Sequence, residues 1–477
     1  MSFKPNQNQQ ITLHDSFINQ TPRTQKMIMN SRCKDFADIV FPAINEERFS
    51  VLYSCNSASR PNTPVNFTVG SLILKENNGL TDDELVESIC CDVRYQYALH
   101  TTHLKEQPVS DRTFSRFRKR LYNYEMETGR NLLEEEMMHP ADVYDKYMNL
   151  NSNIKRMDSL MIASGCKRMF RLEIIYQTTS NAIRLIHRLG NEELIAADLM
   201  HYLVDGKTLP KNKNEITASG LQNPSDPDAT YRSKAGKNHK GYVCNLVETV
   251  GENGDSLITG TGYEQNIHSD SAFFKEYLER RAEDAEPEIM ITDGAYGGME
   301  NQALAEAKNV ELITTALTGK AVDKIFAGFR FSEDGSQVLS CPMGHVPVKT
   351  THYPKTGMCR AIFAKECCDK CPHRETCRCK PQRKNYAVHV SATMAERARY
   401  MEKLSIDKYI QLTKKRNVVE GIPSVLRRRF RIDDIPTFGY LRSRQFVLLK
   451  IGAYNFNKLL RHNRRIGGQS AQNPAIA

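Results

Sequence analysis

Apolar positions recur with a helical period over the first third of the chain and as short strand-like runs after it. In GLTDDELVESICCDVRYQYAL, Leu85, Ile89 and Val93 are spaced for one helix face, and Thr81 with Glu84 forms a capping box ahead of them. The pair Cys90 and Cys91 lies in this apolar helical context and is expected in the core. A second helix is predicted from near Ser110, where Phe114, Phe117 and Leu121 make an apolar stripe and Arg112, Arg116, Arg118, Lys119 and Arg120 crowd the remaining surface. After Met148 the pattern changes. NIKRMDSLMIA gives an apolar run ending at Asp158, and EPEIMITDGAYGG carries Ile289, Met290 and Ile291 into Asp293 and a glycine-rich turn. KGYVCNLVETV between them reads as a strand, the polar stretch 206–238 as a long loop, and SATMAERARYMEKLSIDKYIQLTKKRNVVE as helix again.

With 477 residues the chain has room for two to four domains, and a 40% hydrophobic, 26% charged composition excludes a wholly disordered or membrane-embedded protein. No apolar run approaches the ~18 residues of a spanning helix. The N-terminal segment lacks the apolar centre of a secretion signal, so a cytoplasmic protein is expected. In that reducing compartment 13 cysteines point to metal ligands or buried thiols instead of disulfides. Charge is unevenly placed: residues 401–477 hold 16 Lys+Arg against 5 Asp+Glu, a net of +11, while residues 1–400 are close to neutral. Such a localised excess suits a polyanion-binding surface, and equally a solvated basic tail.

Asp158 and Asp293 each sit at the end of an apolar strand-like run, where a carboxylate would project from the sheet's edge, and Glu420 lies on a helix-like segment. Hard divalent cations need oxygen ligands, so two or three convergent carboxylates suffice to hold them, whereas an isolated Asp at a strand end merely caps the next turn. Thr413, Arg416, Glu420 and Arg427 would share a ~60° sector of one continuous helix, with Pro423 expected to kink or interrupt it. An acid flanked by two arginines can bind metal and grip phosphates together. Seven cysteines, at 341, 359, 367, 368, 371, 377 and 379, crowd one short stretch. Cys341, Cys368, Cys371 and Cys377 are the four best placed to close a tetrahedral Zn²⁺ site on two turns. An iron–sulfur cluster fits the same spacing, and metal-free thiols are the plain alternative. His187, His201, His239 and His268 show no metal spacing. Tyr231, Arg232, Lys234, Lys237 and Lys240 could contact DNA or simply be solvated.

Taken together, these segments resemble the DDE transposases of bacterial insertion sequences, in the branch with a Y-x2-R-x3-E-x6-K signature. The corresponding string here is Thr413, Arg416, Glu420 and Arg427, with Thr for Tyr and Arg for Lys. MDSLMI, DPDATYRSKAGKNHKGY, ITDGAYGG, VVEGIP followed by RRRF, and YNFNKLL carry the likeness in order over roughly residues 35 to 465.

The resemblance implies an α/β fold: a ribonuclease-H-like catalytic core, an all-α N-terminal domain and a small cysteine-rich inserted module. The expected division is a flexible arm at 1–30, a helical DNA-binding domain at 31–148, the first part of the core at 149–317, the metal-binding insertion at 318–383, the second part of the core with basic C-terminal helices at 384–465, and a flexible tail at 466–477. It further implies Asp158, Asp293 and Glu420 as catalytic ligands of Mg²⁺ or Mn²⁺, and a structural Zn²⁺ in the insertion. The implied reaction is cleavage at terminal inverted repeats, followed by strand transfer into double-stranded target DNA. Arg416, Arg427 and Arg428, with Arg112, Arg116 and Lys119 of the helical domain, would contact the DNA, and a homodimer or larger assembly would pair the two ends. A non-catalytic, domesticated DNA-binding protein is the alternative, and a nuclease without strand transfer a third.

Overall fold

The computed structural model describes residues 1–7, 13, 15–56, 58–101, 107–167, 169–190, 217–234, 236–314, 322–416 and 421–472. They form two compact units, Met1–Glu288 with Glu420–Ala477, and Ile289–Val419.

The first unit begins with order where a flexible arm is expected. α1 (Pro22–Met29) is capped by Thr21, whose side chain accepts from the Thr24 N–H, and has Pro at its first position. Ahead of it, Ser2 is buried and exchanges backbone hydrogen bonds with Arg60 and Asn62. Capping and the burial of Ile28 overcome the polar composition of this segment. α2 (Val65–Asn78) is buried on nearly every side and stops at Gly79, whose φ of +69° suits the left-handed cap. In α3 (Asp82–Cys91) the Thr81–Glu84 capping box forms and Leu85 and Ile89 are buried. Cys90 and Cys91 are exposed, contrary to expectation, because they lie past Ile89, rotated off the face it shares with Leu85. α4 (Thr113–Thr128) buries Phe114, Phe117 and Leu121 as its periodicity predicts, and α5 (Leu132–Met148) follows, capped by Asn131.

β1 (Ile154–Ala163) leads into α6 (Arg171–Leu189), on which Leu172, Tyr176, Leu185 and Leu189 are exposed. Part of the stretch read as a loop at 206–238 is instead strand: β2 (Thr230–Lys234) pairs antiparallel with the start of β3 (Lys237–Val250). Its polar, half-exposed side chains hide it from a hydropathy reading. Residues 206–216 and 235 of that stretch lie outside the described residues. β3 pairs antiparallel with β1 and with β4 (Ser256–Gln265), and α7 (Asp270–Glu279) follows. Gly241, at φ +137°, is required where β3 passes the end of β1, because a Cβ there would lie 2.3 Å from the Ile162 carbonyl oxygen.

In the second unit β5 (Glu288–Thr292), α8 (Met299–Ala307) and β6 (Val310–Thr314) alternate, with β5 beside β6. A small antiparallel sheet follows, made of β7 (Lys349–Tyr353), β8 (Met358–Ala364) and β9 (Asn385–Val390), with Lys380–Pro381 pairing on the free edge of β9. Its apolar core joins Phe326, Phe329, Phe363 and Val390 to Ala395 and Ala398 of α9 (Ala392–Leu404). The module's core thus runs past residue 383, where the insertion was expected to end. α10 (Asp407–Arg416) closes this unit, its Tyr409 hydroxyl donating to Glu311 at 2.7 Å.

The chain's last helices belong to the first unit. α11 (Gly421–Arg428) precedes α12 (Tyr440–Gln472), a 33-residue helix that packs on α2, α4, α5 and β4. Val447, Leu449, Ile451, Phe456 and Leu459 of α12 join the same apolar cluster as the N-terminal helices and the sheet. The expected basic C-terminal surface is therefore in large part a core helix, and helix persists to Gln472 where a tail from 466 was expected. The fold class is α/β: a helical first 150 residues, then β3 antiparallel to both β1 and β4, then strand, helix and strand. Among the described residues no helix is long and apolar enough to cross a membrane.

Candidate functional site

Asp158 stands midway along β1 and not at its end as expected, because the apolar run continues through Leu160–Ile162; it lies opposite Leu246 of β3, and its half-buried carboxylate accepts from the Ser159 N–H at 2.9 Å. Two residues earlier on the same face, Arg156 pairs with Glu248 at 2.6 Å. Both are 2% exposed, so this guanidinium is a structural tie and not a phosphate ligand. On the adjoining hairpin, Lys234 donates to the Ser159 hydroxyl at 3.3 Å and lies 3.6 Å from the buried carboxylate of Asp270. Arg232 stands 3.9 Å from the same carboxylate. Sequence reasoning left Lys234 as a DNA contact or a solvated loop residue; the structure places it beside the residue that follows Asp158. Only recognition of the polar β2 strand would have found it.

Arg427, on α11, donates to the Met161 carbonyl and to the Asp433 carboxylate, each at 3.0 Å, and Asp433 accepts from the Ala163 N–H at 3.2 Å. The pair ties α11 to the end of β1, three residues on from Asp158. Arg428 is exposed and bonds Ser424. Burial, with the positive charge of Arg427 second, holds His239 below its ordinary pKa.

Asp293 leaves β5 into the glycine-rich turn, where its carboxylate accepts from the Ala295 N–H at 2.8 Å. Arg416, at the end of α10, lies 3.9 Å from the same carboxylate. Two residues singled out from sequence are thus brought together within the second unit. Beside this turn opens a cavity of about 510 Å³ lined by Gly297, Thr314, Arg397 and Tyr400 among others. Thr413 and Arg416 lie on α10, and Pro423 and Arg427 on α11; residues 417–420, through which the expected single helix face from Thr413 to Arg427 would run, lie outside the described residues. The Thr413 hydroxyl donates to the Ile410 carbonyl at 3.0 Å, one turn back on its own helix. Glu420 lies outside the described residues, as do His201 and the side chain of His187. His268 pairs with Glu276 at 3.0 Å, a structural role.

In the cysteine-rich module two backbone turns present thiols. The Gly344 N–H donates to the Cys341 carbonyl at 2.8 Å, and the Cys371 N–H to the Cys368 carbonyl at 3.2 Å. Burial pushes the Cys368 thiol up to about 11, with Cys377, Cys341 and Cys371 adding to the shift. Burial and then Cys379 push Cys377 up to about 12. The four thiols chosen from spacing are therefore electrostatic neighbours. Cys359 is a core residue, its thiol directed to the Ser336 carbonyl at 3.3 Å. Among the described residues, no three His, Cys, Asp or Glu side chains converge as a set that could hold a metal ion.

The basic helix α4 divides its charges. Arg112, Arg116 and Lys119 are exposed. Arg118 is ion-paired to Asp82, and Arg120 lies over the Tyr53 ring at 4.7 Å while donating to the Leu52 carbonyl.

A family model described as "Transposase DDE domain" matches residues 340–460, and one described as "Transposase domain (DUF772)" matches residues 23–120. No curated protein matches the chain. Among solved structures, the chain is similar to the cryo-EM structure of the piggyBac transposase synaptic complex with hairpin DNA. The likeness is at 9% identity and a TM-score of 0.31, over 93% of this chain and 78% of that one. The chain thus carries a transposase-domain match on its N-terminal helices and a transposase DDE-domain match over residues 340–460.

Proposed function

We propose that the chain is the transposase of an insertion sequence, which binds the element's terminal inverted repeats, cleaves them and transfers the freed strand to target DNA. The observation that carries this reading is Asp293 at the exit of β5 with Arg416 3.9 Å from its carboxylate, an acid and a cation side by side in a glycine-rich turn that backbone can approach closely. Asp158, Asp293 and Glu420 would hold Mg²⁺ or Mn²⁺, and the donor set fits: hard oxygens on two half-buried carboxylates, one of them balanced by a guanidinium. When bound, such ions polarise the attacking and leaving oxygens of an in-line phosphoryl transfer. The chain's own residues do the remainder. Arg416 neutralises phosphate charge beside Asp293, Lys234 supplies a cation beside Asp158, and Arg427 with Asp433 fixes the end of α11 against β1. Arg112, Arg116 and Lys119 hold flanking DNA, and a dimer or larger assembly pairs the ends. Cys341, Cys368, Cys371 and Cys377 would hold a structural Zn²⁺ after a small closure of their turns.

The test is cleavage of DNA carrying the element's ends in Mg²⁺. Asp158→Asn, Asp293→Asn and Glu420→Gln are each expected to lower the rate by at least ~10³-fold, with DNA affinity changed less than about threefold. A Glu420→Gln protein that still nicks at the wild-type rate removes Glu420 from the site. Metal analysis of the purified chain is expected to find zinc, lost in Cys368→Ser/Cys371→Ser. Visible absorption with iron would assign a cluster instead.

A further inference from the structure

A cavity of about 500 Å³ opens in the helical region of the first unit, between the Tyr53–Pro64 segment and the start of α4. Arg60, Arg116 and Arg120 line it, with the hydroxyl residues Ser110 and Thr113 and the ring of Tyr53, and no carboxylate is among its described lining residues. Arg60 and Arg116 are exposed and have no carboxylate partner among the described ion pairs, so their forks are available to an anion. The 16-residue α4 begins at this cavity, and the side chain of Arg112 does not cap it, which adds the positive end of the helix dipole. Arg120 is held in place over Tyr53 at 4.7 Å. A cavity of this size cannot admit a duplex, yet it lies in the range that encloses a single small ligand.

We propose that this cavity is a binding pocket for one unpaired DNA nucleotide, its phosphate held by Arg60 and Arg116 and its base against Arg120, whose guanidinium lies over the Tyr53 ring. Cationic forks take the phosphate bidentately, and a guanidinium plane backed by an aromatic ring takes any base by its π-face, so the pocket selects for an unstacked nucleotide more than for sequence. The inference rests on the reading above that the chain acts on DNA.

The test uses the full-length chain and two short duplexes, one fully paired and one carrying a single unpaired thymidine, in a fluorescence anisotropy titration. Wild type is expected to bind the bulged probe about tenfold more tightly. Arg60→Ala is expected to lower that preference severalfold while leaving affinity for the paired duplex within about twofold of wild type. Tyr53→Leu, which keeps apolar bulk and removes the ring, is expected to reduce the preference severalfold. Thymidine 5′-phosphate as competitor separates the sources of the phosphate: erasing the preference at micromolar concentration would mean that the pocket serves free nucleotides and overturn the DNA assignment. An equal loss on both probes would mean ordinary backbone contacts and overturn the pocket alone. Failure of wild type to bind either probe would overturn both this inference and the proposed function.

Discussion

On α4, Arg112, Arg116 and Lys119 stand in solvent, whereas on α12 Arg444, Lys450 and Lys458 turn inward to Glu125, Glu76 and Glu248. Both helices look basic in sequence, and the C-terminal one belongs to the segment with net +11. Lys450, 8% exposed, sits 2.7 Å from Glu76 and donates also to the Phe430 carbonyl, so its charge is answered inside the protein. Arg465 and His462 at the far end of α12 share Asp255. A run of positive charge along a chain becomes a polyanion-binding surface only where the fold leaves it unanswered. By that standard α12 offers DNA less than its sequence suggests, and among its described residues Arg442, Arg461, Arg464 and Arg465 remain exposed.

This contrast can be broken or sharpened by experiment. Glu76→Ala strands Lys450 and is expected to cost about 3–5 kcal/mol in denaturant unfolding. A cost under ~1 kcal/mol would show that the α12 charges are not internal. Leu449→Ala, a core truncation on the same helix, is expected to cost about 2–5 kcal/mol without changing the salt dependence of DNA binding. On the other side of the comparison, Arg112→Ala/Arg116→Ala/Lys119→Ala is expected to leave stability within ~0.5 kcal/mol while DNA affinity falls tenfold or more. Its log–log salt slope is expected to shallow by about 2–3, as three lost phosphate contacts require. Removing Arg461 and Arg464 together is expected to change affinity less than about threefold.

The smallest effect concerns Glu136 on α5, which Arg48 approaches at 3.3 Å and the Asn45 N–H at 3.0 Å. Burial pushes its carboxyl up to about 8 from an ordinary 4.5. Between those values the folded chain holds a proton that the unfolded chain has released, so stability falls as pH rises through that window, by up to about 1.4 kcal/mol per pH unit. Glu136→Gln is expected to flatten this slope.

The helices were legible wherever an apolar stripe and a cap coincide, as with Thr81, Glu84, Leu85 and Ile89 in α3, and β1 and β5 were legible from short apolar runs. Less legible were elements whose stability comes from distant partners. β2 is polar along its length and exists because β3 pairs with it, and α1 is secured by a cap and one buried isoleucine. The sequence marked Asp293 and Arg416 as site residues, and they meet. It did not show that Arg427 would bind a main-chain carbonyl of β1, because a guanidinium's partner is set by tertiary placement. Nor did it single out Arg60 or the Tyr53 wall of the cavity, which become neighbours of α4 only through packing.

The position of α12 has a consequence for how the protein is made. Helices and strands completed by residue 288 lack the helix that fills their shared core until residues 440–460 leave the ribosome. At about 5–20 residues per second that delay is roughly 10–30 s. Throughout it the nascent chain exposes the apolar faces of α2, α5 and β4 that α12 later covers, making it a client for ribosome-associated chaperones. A product truncated before α12 would be degraded or aggregate, so activity depends on translation running through α12.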